Sequence, residues 1–263
     1  MTRRGVTAAG VGLLAALALS APAAAEIYNP TTAEYIPTSY YYPPPAPSYD
    51  PPPLYFPPLD MSSSSAPSGG GDSEPSRGTG VSRERRVVGY TRSPRVSRQA
   101  NRQMADLFAK RLGKRNFDRA RFIKEADKGT FRKAFRQLVS PLGWSDGNYA
   151  DAVAAYAVSS YLIANQIDLA NLTPEQRTGA GKVEELVTST LLGNRRMAKL
   201  SARAKQLATE RLDTVTIVQL VQFANGDATA RAAQAEATRA AGMKTFHGDL
   251  TTVVLDADGF QPK

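Results

Sequence analysis

Apolar residues recur at helical spacing through most of the chain beyond Ser97, and stop signals cut the pattern into five to six helices. Met104, Leu107, Phe108 and Leu112 share one face of a first helix, with Ser97 as its expected N-cap and Gly113 as its closing glycine. A second helical region covers 118–139. Asp127-Lys128-Gly129-Thr130 interrupts it, so Thr130 is expected to cap a separate piece carrying Phe131, Phe135, Leu138 and Val139, which Pro141 and Gly143 stop. The third helix follows Asp146-Gly147-Asn148 and runs to about Gln166. Tyr149, Ala152, Val153, Tyr156, Ser160, Ile163 and Ala164 lie on one of its faces, and small residues fill much of the rest. A helix so poor in charge belongs at the centre of a bundle.

The fourth helix has the best local start signal in the chain. Thr173-Pro174-Glu175-Gln176 combines an N-cap, a proline at the first helical position and a Gln able to close a capping box. Val183, Leu186, Val187, Thr190 and Leu191 form its buried stripe, and Gly193 ends it. A long fifth helix is expected over 194–224, kinked where the β-branched run Thr214 to Val218 is locally unfavourable. Asp227 caps an alanine-rich sixth helix reaching Phe246, and 250–260 reads as a short strand or irregular wrap. The expected fold is all-α, a single bundle over 97–263.

What precedes the bundle has another texture. Residues 1–25 carry Arg3 and Arg4, an apolar run from Val11 to Leu19 and the small triplet Ala23-Ala24-Ala25, the layout of a cleavable signal peptide. That run is too short for a spanning helix. Residues 26–60 are a low-complexity mixture of Pro and Tyr, including Tyr40-Tyr41-Tyr42-Pro43-Pro44-Pro45, in which proline forbids helix. Residues 61–96 pass from a Ser/Gly-rich linker to an arginine-rich stretch around Val87-Val88. Nothing there forces a packed element, so order is expected from about Ser97.

Charge sharpens this division. The net +9 is concentrated in one block: 77–139 holds 19 Lys/Arg against five acids, whereas 26–76 has six acids and no base. Such a block favours a polyanionic partner. Arg83, Arg85, Arg86, Arg92 and Arg95 are the candidates for contact with an anionic surface, either a lipid headgroup or a cell-wall polymer. Nucleic acid is not expected, because aromatic residues are sparse among these arginines and the signal directs the chain out of the cell.

Candidate chemistry is thin. With no cysteine, N-terminal lipid attachment, disulfides and thiol chemistry are excluded, and with one histidine no zinc cluster can be built, so neither metal nor cofactor is expected. His247 lacks the partners of a catalytic triad. Asp256-Ala257-Asp258-Gly259 lacks the closing acid of a calcium loop. A helical cell-wall hydrolase would need acids, and Asp146, Asp151, Glu184, Glu185 and Glu210 are available. Asp146 and Asp151 suit the start of the third helix instead, and Glu184-Glu185 suits a solvated face.

The segment from Leu142 to Tyr156, Leu-Gly-Trp-Ser-Asp-Gly-Asn-Tyr-Ala-Asp-Ala-Val-Ala-Ala-Tyr, is the most distinctive. It resembles a motif of a family of uncharacterised exported bacterial proteins, known as a domain of unknown function. The resemblance spans 97–260, including the closing Asp-Gly-Phe of 258–260. It implies export and a shared helical fold, and no activity. Trp144, Tyr149 and Tyr156 suit core packing, with a ligand groove lined by the three as the functional alternative. The sequence therefore supports a non-enzymatic envelope module with a basic arm, and a carboxylate hydrolase as the alternative.

Overall fold

The computed structural model describes residues 87–112 and 117–263. The expected signal peptide of 1–25, the Pro/Tyr and Ser/Gly segments, Arg83, Arg85, Arg86 and the expected closing glycine Gly113 lie outside the described residues. Eight α-helices follow: α1 (Pro94–Leu112), α2 (Arg119–Asp127), α3 (Thr130–Val139), α4 (Tyr149–Ala164), α5 (Pro174–Gly193), the single turn α6 (Arg195–Ala198), α7 (Ala202–Asn225) and α8 (Ala228–Thr245). An antiparallel hairpin closes the chain, β1 (Val253–Asp256) pairing with β2 (Gly259–Pro262) so that Asp256 faces Gly259. Among the described residues, no helix is long and apolar enough to cross a membrane.

Local chemistry sets most of the helix starts. The Asp118 side chain accepts from the Arg121 amide at 2.9 Å, and Asn148 accepts from the Ala150 amide at 2.8 Å. The capping box of α5 is reciprocal: the Gln176 amide donates to Thr173 Oγ1 at 3.2 Å, and the Thr173 amide donates to Gln176 Oε1 at 3.1 Å. Asp227 accepts from the Ala230 amide to start α8.

Three boundaries differ from the sequence pattern. Helix α1 starts at Pro94, so Ser97 lies inside its first turn and Ser93 supplies the carbonyl that accepts the Ser97 amide. Thr130 is the first residue of α3; its N-cap is Gly129, in a left-handed conformation with φ 79° and no capping side chain. The expected fifth helix is two. It stops after Ala198, and Ser201 caps a new start by accepting from the Ala204 amide. The β-branched run Thr214 to Val218 is continuous helix, fully buried, because packing outweighs a weak propensity term.

Every residue of α4 is buried. Its alanines and serines let α5, α7 and α8 pack directly on it. On the outer side, α1 and α3 cover α7, and α2 covers α1. Phe108, Phe117, Phe122 and Phe131 form an aromatic chain where α1, α2 and α3 meet, with centroids 4.9–6.0 Å apart. The hairpin lies on α5 and reaches α4 through the Leu255 amide, which donates to Tyr161 Oη at 3.2 Å.

Among the described residues, packing is already present ten residues before Ser97. Val87 and Val88 are buried, and Gly89 bridges to Asn148. The Tyr149 amide, one of the donors left open at the start of α4, reaches the Val88 carbonyl at 3.0 Å. The stretch 87–93 is thereby tied across the bundle.

Candidate functional site

Arginine 92 sits where this tied segment crosses the bundle. Its guanidinium donates to the Asp146 carbonyl at 2.9 Å, and its Nε lies 3.4 Å from Glu210 Oε1 on α7. Tyr90 Oη donates to the same Asp146 carbonyl at 3.1 Å. Burial pushes the Tyr90 hydroxyl well above the usual tyrosine range. The Asp146 carboxylate gathers guanidinia as well, with Arg136 at 2.8 Å, Arg92 at 3.7 Å and Arg132 at 3.8 Å.

Glu210 is fixed from its other side. Ser97 Oγ donates to Glu210 Oε1 at 2.8 Å and Gln206 Nε2 donates to it at 2.9 Å. Gln206 also clasps Ser93, accepting from its amide and donating to its carbonyl, both at 2.9 Å. The N-terminus of α1 is thus latched to α7 by a closed polar network.

One turn further along α7 stands Asp213, and it has none of this support. It is 2% exposed, and neither carboxylate oxygen has a hydrogen-bond partner. Burial drives its carboxyl well above the usual range, with Arg92 pulling the other way. It lines a pocket of about 400 Å³ together with Arg92, Ser97, Arg98, Glu210 and Thr214, closed on the far side by the α2–α3 turn, Phe131 and Arg132. Buried carboxylates are usually paired. Asp213 is the exception that marks this pocket.

A second hollow, about 310 Å³, adjoins it through the shared residue Arg98. Its lining is Arg95, Arg98, Arg102 and Arg203 with Gln99 and Gln103. All four arginines are exposed, and Arg203 donates to Gln99 Oε1 at 2.7 Å. Among the described residues, none of the four is in an ion pair.

Comparison with protein-family models, with curated proteins and with solved structures gave no match. The site is therefore read from its own geometry.

The residues singled out in the sequence are dispersed. Tyr149 and Tyr156 are each 2% exposed and belong to the core, Tyr156 lying 5.8 Å from the Phe246 ring. Neither ring is open to a ligand in solution, whereas Trp144 is half-buried at the core's edge. Of the basic candidates, Arg92 is turned inward to Asp146 and Glu210, and Arg95 is exposed. Asp151 accepts from the Ser145 amide at 2.6 Å, Glu184 from Thr188 Oγ1, and Glu185 pairs with Lys182. Among the acids proposed for hydrolysis, Glu210 lines the pocket. Asp213 was not singled out, although a carboxylate set between Leu212 and the run Thr214 to Val218 is the kind of buried polar position that carries information.

Proposed function

We propose that the protein is an exported, non-enzymatic envelope module whose basic side meets an anionic surface. The observation that carries this reading is the open cluster of Arg95, Arg98, Arg102 and Arg203, the first three of which belong to the basic block 77–139. Four guanidinia without acidic partners hold a positive potential that helps retain phosphate or carboxylate groups of lipid headgroups or cell-wall polymers. The signal-like 1–25 and the resemblance of 142–156 to exported proteins of unknown function support the compartment.

Sedimentation with anionic vesicles and with cell-wall sacculi tests it. Binding should weaken steeply as salt rises, since exposed charges are screened within about 8–10 Å at ordinary ionic strength. Replacing the four arginines by Gln should remove most of it. Salt-insensitive binding, or none, overturns the reading.

A hydrolase is the second reading, and one observation favours it. Glu210 pairs with Arg92 one turn from Asp213, whose proton affinity burial raises, and two carboxyls in unlike surroundings are what acid–base chemistry uses. Peptidoglycan turnover that disappears in both Glu210→Gln and Asp213→Asn would support it, and turnover surviving both would remove it.

A further inference from the structure

The pocket beneath Asp213 holds unsatisfied polar groups of opposite kind on two of its sides. On the α7 wall, Glu210 and Asp213 stand one turn apart, so they share a face. Arg92 is committed to Glu210 and to Asp146, which leaves Asp213 without a cation and without a hydrogen-bond donor. On the opposite wall, α3 begins behind Gly129 with no side chain capping its first amides, so the positive end of that helix is open. Arg132 Nε on the same wall is buried and has no hydrogen-bond acceptor, its nearest carboxylate oxygen being Asp146 Oδ2 at 3.8 Å. Asp127 and Lys128 line the same side but are engaged, Asp127 accepting from Asn101 Nδ2 and Lys128 paired with Glu125. One wall lacks a donor, and the other lacks an acceptor.

We propose that this pocket binds a small zwitterion, an amino acid or short peptide, with its ammonium on Asp213 and its carboxylate against Arg132 and the start of α3. A ligand carrying both groups satisfies both orphaned sets at once. A simple amine leaves Arg132 Nε without an acceptor, and a simple carboxylate leaves Asp213 buried without a partner, which costs free energy. The volume of about 400 Å³ falls at the small end of the range for small-molecule sites, roughly 300–1,000 Å³.

The electrostatics give the binding a second signature. Asp213 lies among Glu210 on its own helix, Arg92 and Tyr90 on the crossing segment, Asp146 and Asp151 at the entry to α4, and Arg132 across the pocket. Burial raises its carboxyl, and an arriving ammonium favours the ionised form and opposes that rise. Binding is therefore linked to proton loss at Asp213 and strengthens as pH rises through the range in which that carboxyl titrates.

Calorimetric titration of the intact chain with glycylglycine and L-alanine, against methylamine, acetate and N-acetylglucosamine, tests the proposal. The zwitterions should bind saturably, with affinity rising as pH climbs through the range in which Asp213 titrates. Methylamine and acetate should each bind at least about tenfold more weakly, the worth of one charge-assisted hydrogen bond. Asp213→Asn should lose binding by about tenfold or more, and Arg132→Gln, which leaves the α7 wall intact, should do likewise. No zwitterion binding at millimolar concentration overturns the proposal. So does a preference for the neutral sugar, or equal affinity in both folded variants. Vesicle binding by the arginine cluster is a separate readout, so failure of either reading leaves the other standing.

Discussion

Gly179 of α5 lies directly beneath the backbone of Asp256 in the closing hairpin: a β-carbon at 179 would fall 1.6 Å from the Asp256 carbonyl oxygen. No side chain can occupy that space, so the absence of one at Gly179 is what lets the hairpin dock on the helix. Gly179→Ala should therefore cost about 2–3 kcal/mol or release the hairpin outright, since backbone cannot yield as a flexible side chain does. Thermal unfolding and limited proteolysis of 250–263 would register either result, and unchanged stability would contradict the docking.

The latch between α1 and α7 should be sensitive to charge removal. Glu210→Ala strips Ser97, Gln206 and Arg92 of their shared acceptor, and should destabilise by about 2–4 kcal/mol. Glu210→Gln retains a carbonyl acceptor and should cost visibly less. Chemical denaturation of the two variants side by side measures the difference.

A raised carboxyl at Asp213 means that the folded protein binds this proton more tightly than the unfolded chain does. Its effect is fully favourable below the ordinary carboxylate value of about 3.9 and is lost as pH climbs toward the folded value. Asp213→Asn, neutral at every pH, should match the parent in acid and exceed its stability increasingly as pH rises. Denaturation midpoints across that range decide it; a constant gap would mean that proton binding at 213 is not responsible.

Asp249 behaves in the opposite sense. The hydrogen bond from Arg239, assisted by the Thr251 amide and hydroxyl, pulls its carboxyl down to about 2. This support is present above the unfolded value of about 3.9 and fades as pH falls through 2. Asp249→Asn should accordingly be less stable than the parent at neutral pH and converge with it in strong acid. The Arg239 side chain is 43% exposed, so the difference should be small and should shrink with salt.

Removing the capping box at α5 by Thr173→Ala should cost about 1 kcal/mol. Hydrogen exchange of the first α5 amides should accelerate with it.

Much of this architecture could be read from local sequence. Thr173 to Gln176, Asp227 and Asn148 place helix starts by capping chemistry confined to a few residues, and the capping box formed as written. The scarcity of charge in 149–164 foretold a central helix, because such a surface has no strongly polar side to give to water. The division of the fifth helix was harder. Ser201 resembles an ordinary polar position until its side chain is seen capping Ala204, and 214–218 stays helical because burial, absent from a propensity scale, outweighs it. The candidate site was the least legible part. Trp144, Tyr149 and Tyr156 stood out as aromatics, yet the two tyrosines went to the core.

The sequence by itself determined the helical class, most of the caps, the identity of the central helix and the segregation of positive charge, since each depends on neighbours along the chain. Tertiary structure alone decided that Arg92 turns inward, that residues 87–93 join the bundle, and that Asp213 is left facing Arg132 across a pocket. Those outcomes depend on which groups meet 54 or more positions apart, and whether a carboxylate finds a partner at such range is set by packing geometry, of which the order of residues carries no local trace.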